Sequence, residues 1–226
     1  MVYAPDLNSL LVDGLRQTRM WTEFIVESRP LAPAVLPTGR IVASEGLPSA
    51  EDAPFAATIP PGTYPMHAWV TVIRKRGKEF DRRNAALELR VSDVPTVSWE
   101  MALTEDESID RLEGDDYIGF SVDSGCATIA DADTCEALRR WDFDRWESVY
   151  IPRPLPRKPV PGYVTAVVDP ATGANLSVVG SGWGDGSYPT FIGRDADGGI
   201  TRFVIDFMVL LDVMRPKGFG SRLFGR

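Results

Sequence analysis

The chain has 226 residues, 44% of them hydrophobic and 25% charged, which is the balance of an ordinary globular protein with ample core. Its formal net charge of −8 argues against a partner tracked by its phosphates, DNA or RNA, because that affinity rests on Lys and Arg. No apolar run approaches a bilayer span and the first residues lack a secretory pattern, so a soluble, cytoplasmic protein without a membrane partner is expected. Two cysteines, Cys126 and Cys135, are too few for a disulfide framework, and the single histidine, His67, rules out a zinc site of several imidazoles.

Leu7, Leu10, Leu11 and Leu15 fall on one helical face, with Asp6 placed to cap it, so a helix is expected in part of residues 6–27. The β-branched and aromatic run Thr22 to Val26 reads instead as a strand, and Pro30, Pro33 and Pro37 end any continuous element. From Gly39 the signals are mainly β. Arg40 to Ala43 is a short strand, and Pro60-Pro61-Gly62 is turn chemistry. Tyr64 to Ile73 alternates with both faces partly apolar, as a central strand does, and the basic turn Arg74–Lys78 follows. His67 on that strand reads as a packing or surface residue.

Ala85, Leu87, Leu89 and Val91 alternate with Glu88 and Arg90, which predicts a half-buried strand with Glu88 on its wet face. Val97 to Leu103 and Tyr117 to Val122 repeat the period around the acidic loop 104–116. One internal helix is expected over 131–149, started by Asp133 and Glu136 at capping-box spacing; Cys135 near its positive end is a candidate for a lowered pKa. The five prolines of 151–162 favour a surface crossover. Tyr163 to Val168 and Leu176 to Val179 should pair as a hairpin. So should Thr190–Arg194 and Thr201–Val209, around Asp195-Ala196-Asp197-Gly198-Gly199. The fold expected is α+β and mostly β, with antiparallel, hairpin-rich, sandwich-like sheets and one or two short helices. An N-terminal helix/strand extension (1–38) precedes a single β-rich domain (39–213) and a basic flexible tail (214–226).

The most conspicuous stretch is Ser181-Gly182-Trp183-Gly184-Asp185-Gly186-Ser187-Tyr188-Pro189. Its glycines recur every second residue. If extended they leave one face bare for a close neighbour or ligand; if coiled they supply positive φ and amides for an anion. Neither Walker A nor dinucleotide spacing is present. Trp183, Gly184, Asp185, Gly186 and Tyr188 are therefore the candidate ligand-binding surface. Asp123 and Asp185, each ending a strand beside glycine, are the candidates for any acid–base chemistry, and with Asp131 for a hard cation such as calcium or magnesium. Asp195-x-Asp197-Gly198 opens like a calcium loop but lacks its remaining ligands.

Gly119-Phe120-Ser121-Val122-Asp123-Ser124-Gly125 with Asp131, the block from Ser181 to Phe207, and Pro61-Gly62-Thr63-Tyr64-Pro65 together resemble the bacterial domain-of-unknown-function family 4241, over roughly residues 39–209. The chain departs from that pattern at Ala43-Ser44-Glu45-Gly46-Leu47-Pro48, where an Asp-Pro pair is expected. The resemblance implies the domain's extent and singles out its acidic residues, but no reaction. The reading of function is a binding or protein-interaction module using the glycine–aspartate surface; the competing one is a metal-dependent hydrolase built on Asp123 and Asp185.

Overall fold

Runs of Val, Ile, Thr and aromatic residues with a period of two build most of the molecule, and the computed structural model is 44% strand and 12% helix, the α+β, mostly β class expected. Residues 2–49, 52–152 and 154–214 are described, 212–214 by backbone alone; of the basic tail, 215–226 lie outside the described residues. The first half of the chain runs α1 (Leu7–Leu10), β1 (Arg16–Arg19), β2 (Thr22–Pro30), β3 (Ala34–Leu36), β4 (Ile41–Glu45), β5 (Gly62–Tyr64), β6 (Met66–Lys75), β7 (Lys78–Arg90) and β8 (Ser98–Met101). The second half runs β9 (Phe120–Val122), β10 (Cys126–Asp131), α2 (Ala132–Leu138), α3 (Phe143–Tyr150), β11 (Val164–Asp169), β12 (Ala174–Gly180), β13 (Gly186–Tyr188), β14 (Thr190–Arg194), β15 (Ile200–Asp206) and α4 (Val209–Met214).

Two antiparallel sheets carry the fold, one of seven strands in the order β1-β2-β6-β7-β15-β14-β8 and one of four in the order β11-β12-β10-β4. Alternation along β4 shows how they stack. Ile41 and Ala43 enter a cluster with Ala127, Ile129 and Val179 of their own sheet and Leu87, Leu89, Phe203 and Ile205 of the large one. Val42 points the other way, joining Leu176, Val178, Leu138, Trp146 and Tyr150 under α2 and α3. The layers are therefore sheet, sheet and helices. The outer face of the large sheet receives the N-terminus: Leu7 is buried, the Tyr3 ring packs at a tilt against Tyr117 and Phe191, and Asn8 donates to the Thr96 carbonyl. Residues 16–30 supply two strands of that sheet.

Several expected elements change shape. The N-terminal helix is only one turn, capped by Asp6 as expected, because β1 and β2 claim the residues after it. The helix expected over 131–149 is two: the cap is Asp131 rather than Asp133, and Asp142 caps a second helix, breaking the run at Trp141. The last strand stops at Asp206, and Met208, with φ of 58°, turns the chain into α4. β10, whose Cys-Ala-Thr-Ile-Ala run has no polar alternation, is wholly buried between β4 and β12. Glu88 is the sharpest correction: it is completely buried, not on a wet face. Cys135 is also enclosed, and burial pushes its thiol up to about 12, the reverse of an activated helix-start thiol.

Candidate functional site

Short hydrogen bonds shape the glycine-rich stretch. The Ser181 amide donates to the Gly125 carbonyl, Gly184 N–H returns to the Ser181 carbonyl (2.8 Å), and Ser181 Oγ donates to the Gly184 carbonyl (2.8 Å). The Tyr188 hydroxyl reaches the Gly184 and Ser181 carbonyls at 2.7 and 3.0 Å and so ties the turn shut from beneath. Glycine is required at 182, where φ is +54° and a Cβ would stand 2.9 Å from both the Phe207 Cβ and a Val209 methyl. The stretch is thus neither an extended strand with a bare face nor a nest of free amides, since Gly182 and Gly184 spend their N–H groups within the turn. Its glycines serve curvature and close packing.

That turn sorts the candidate residues. Trp183 projects outward, 46% exposed, with the Arg83 guanidinium 5.2 Å from its ring. Asp185 and Gly186 are exposed and Gly184 half-buried, whereas Tyr188 is buried with its hydroxyl engaged. β13 pairs with β9 from Tyr188 and Phe120 to Gly186 and Val122, and exposed Asp185 and exposed Asp123 each lie one residue beyond that last pair, Asp185 Oδ1 standing 3.9 Å from where a Cβ on Gly125 would be. Glu45 stands beside them, one carboxylate oxygen accepting from the Asp123 and Ser124 amides at 3.2 Å each.

Asp131 does not join this group. It ends β10, six residues beyond Gly125, about 20 Å along an extended strand. There its carboxylate is fully buried and accepts from Thr38 N–H, Thr38 Oγ, Gly39 N–H and Asp133 N–H at 2.9–3.0 Å. The cation set Asp123, Asp131 and Asp185 is therefore not assembled, and among the described residues no group of three or more His, Cys, Asp or Glu is arranged to hold a metal. Asp195 and Asp197 shape the last hairpin, Asp195 Oδ1 accepting from the Asp197 and Gly199 amides.

Asp206 lies on the far face of the large sheet, where Tyr3 Oη donates to one oxygen and Met208 N–H to the other, both at 2.7 Å. Desolvation raises its pKa above the ordinary carboxylate value, with both donors pulling back. A group whose pKa is raised on folding stabilises the native state fully below its unfolded value, about 3.9, and loses that contribution as pH climbs through the folded value. The stability difference between Asp206→Asn and the parent is expected to move in favour of asparagine from about pH 4 to pH 7. Urea unfolding of both proteins across that range reads it; a constant difference would rule the titration out.

Sequence reasoning missed two features. The first is a polar cluster around buried Glu88, which accepts from Trp69 Nε1 (2.7 Å), Arg90 Nε (3.1 Å) and Arg202 Nη1 (3.3 Å). His67 lies opposite Glu88 in the ladder, and burial, then the Arg90 charge, lowers its pKa, favouring neutral imidazole. A carboxylate between apolar neighbours on a strand looks like a surface position; Arg90 is on its own strand, but only the pairing with β6 and β15 brings the Trp69 indole and Arg202 to it. The second is a cleft of about 340 Å³ between the sheets, floored by Ala43, Ala102, Phe55 and Phe120 and rimmed by Asp52 and Asp106. Small residues at scattered positions leave that gap, and no local pattern marks it.

The chain belongs to the family described as protein of unknown function (DUF4241), whose profile matches residues 34–205. No curated protein and no solved structure matches it.

Proposed function

We propose that the protein is a protein-binding module whose contact surface is the 181–186 turn with Asp123, Trp183 and Asp185. The observation that carries this reading is the outward indole of Trp183, on a turn closed by Tyr188 and Ser181, with the exposed carboxylates of Asp185 and Asp123 at the adjoining end of the β9–β13 pair. An aromatic presented on a pre-ordered backbone loses little entropy on contact, which is the property of binding hot spots. Like charges gathered at one end of a strand pair repel one another, at a cost to the free protein. A lysine or arginine from a partner removes that cost, so the chemistry favours a basic protein segment whose aliphatic stem lies against the indole.

A fluorescein-labelled arginine- and lysine-rich peptide, titrated by anisotropy, tests the reading against a glycine–serine peptide of equal length. Asp123→Asn/Asp185→Asn is expected to weaken binding about tenfold, as is Trp183→Ala. The control Asp93→Asn/Asp110→Asn makes the same charge change at exposed positions elsewhere. Equal weakening by that control would reduce the effect to net charge and overturn the proposal.

A further inference from the structure

Two hairpin ends meet at one edge of the large sheet. β2 pairs with β6 so that Thr22 faces Lys75, and Arg76 N–H donates to the Trp21 carbonyl at 3.0 Å, placing the Met20–Trp21 turn beside the Arg76–Gly77 turn. This end carries the three most exposed large hydrophobic side chains among the described residues, Met20 at 79%, Trp21 at 74% and Phe80 at 63%. Met20 also adopts φ of 53°, a left-handed conformation that hairpin turns ordinarily give to Asn, Asp or Gly. A bulky apolar side chain is thus held outward at some conformational cost where a small polar one would serve the turn better.

The charge at this end opposes that of the whole chain. Residues 16–23 and 74–79 contain six basic side chains, Arg16, Arg19, Arg74, Lys75, Arg76 and Lys78, against two acidic ones, in a protein of net charge −8. Glu23 and Glu79 are already paired, with Arg16 and with Arg82 and Lys158. Lys75, Arg76 and Lys78 pair with no carboxylate among the described residues, and Lys75 Nζ sits 3.4 Å over the Phe80 ring. Beside the tip, Arg157 and Lys158 line a groove with Phe80 and Arg82.

We infer that this double-hairpin tip docks on an anionic lipid bilayer, with Met20, Trp21 and Phe80 entering the interface and the unpaired cations meeting the headgroups. Trp and Phe settle at the boundary between headgroups and acyl chains, Lys and Arg add attraction to anionic leaflets, and each is weak alone. A nucleic acid would use the cations but has no place for Met20, which offers no stacking plane. This is surface attachment, consistent with the absence, among the described residues, of any helix long and apolar enough to cross a membrane.

Co-sedimentation of the full chain with vesicles of phosphatidylcholine alone, and of phosphatidylcholine with phosphatidylglycerol, tests the inference. Binding is expected to the mixed vesicles and not to the neutral ones. Met20→Ser/Trp21→Ser/Phe80→Ser and Lys75→Gln/Arg76→Gln/Lys78→Gln should each reduce it at least about tenfold. All six positions are exposed, and an unchanged thermal midpoint verifies that both variants fold. Failure of the parent to bind mixed vesicles, retention of binding by either variant, or binding to a single-stranded oligonucleotide in preference to the vesicles would overturn it.

Discussion

Glu88→Ala is expected to destabilise the protein by about 3–5 kcal/mol and to lower its thermal midpoint by roughly 10 °C. The Glu88 carboxylate is 0% exposed and lies between Arg90 and Arg202, whose side chains are themselves 29% and 21% exposed, with the Trp69 indole N–H on its other oxygen. Burying such a group costs several kcal/mol, which the guanidinium groups and the indole offset in the native state. Alanine removes the acceptor and leaves two partly desolvated cations facing each other and an indole donor without its acceptor, so the loss exceeds what the intact cluster contributes. Glu88→Gln keeps an acceptor for Trp69 but no charge for the arginines and should fall between the two. Urea unfolding followed by tryptophan fluorescence measures both. A Glu88→Ala protein within about 1 kcal/mol of the parent would mean that water replaces the carboxylate without penalty.

The second large effect is expected at Asp131, where alanine should cost about 3–4 kcal/mol. One carboxylate caps α2 through the Asp133 amide and gathers the Thr38 and Gly39 amides and the Thr38 hydroxyl of the segment entering β4. The geometry around it is unforgiving: Gly39 has φ of +72°, and a Cβ there would stand 1.8 Å from the Ile59 carbonyl oxygen, so that turn has few alternatives. Asp131→Asn, with one acceptor oxygen retained, should lose roughly half as much. Calcium, magnesium or a chelator should leave the unfolding midpoint of the parent where it is, because protein donors already occupy the carboxylate. A midpoint that follows the cation would restore Asp131 to a metal site.

Much of this architecture is written in local pattern. The hairpins around Arg76-Gly77, Asp169–Gly173 and Asp195–Gly199 are marked by turn residues between alternating runs, and the observed pairs β6–β7, β11–β12 and β14–β15 follow from them. The singularity of the 181–188 stretch was equally visible, since Gly-Trp-Gly-Asp-Gly has few local explanations. Its conformation was not, because the Tyr188 hydroxyl that closes the turn and the Phe207 contact that demands Gly182 lie outside any local period.

Sequence by itself determined the fold class, the hairpins and which acidic residues stand out, because turn chemistry and strand alternation act over a few residues. Only the tertiary structure decided what those acidic residues do. Asp123 and Asp185 stand just beyond the pairing of β9 with β13, segments some sixty residues apart, Asp131 serves a turn ninety residues before it, and Glu88 is enclosed by β6 and, from more than a hundred residues away, β15. The meeting of Met20, Trp21 and Phe80 at one tip has the same origin in the β2–β6 register. A carboxylate or an aromatic ring takes its role from the donors, charges and water around it, and non-local strand pairing sets those surroundings.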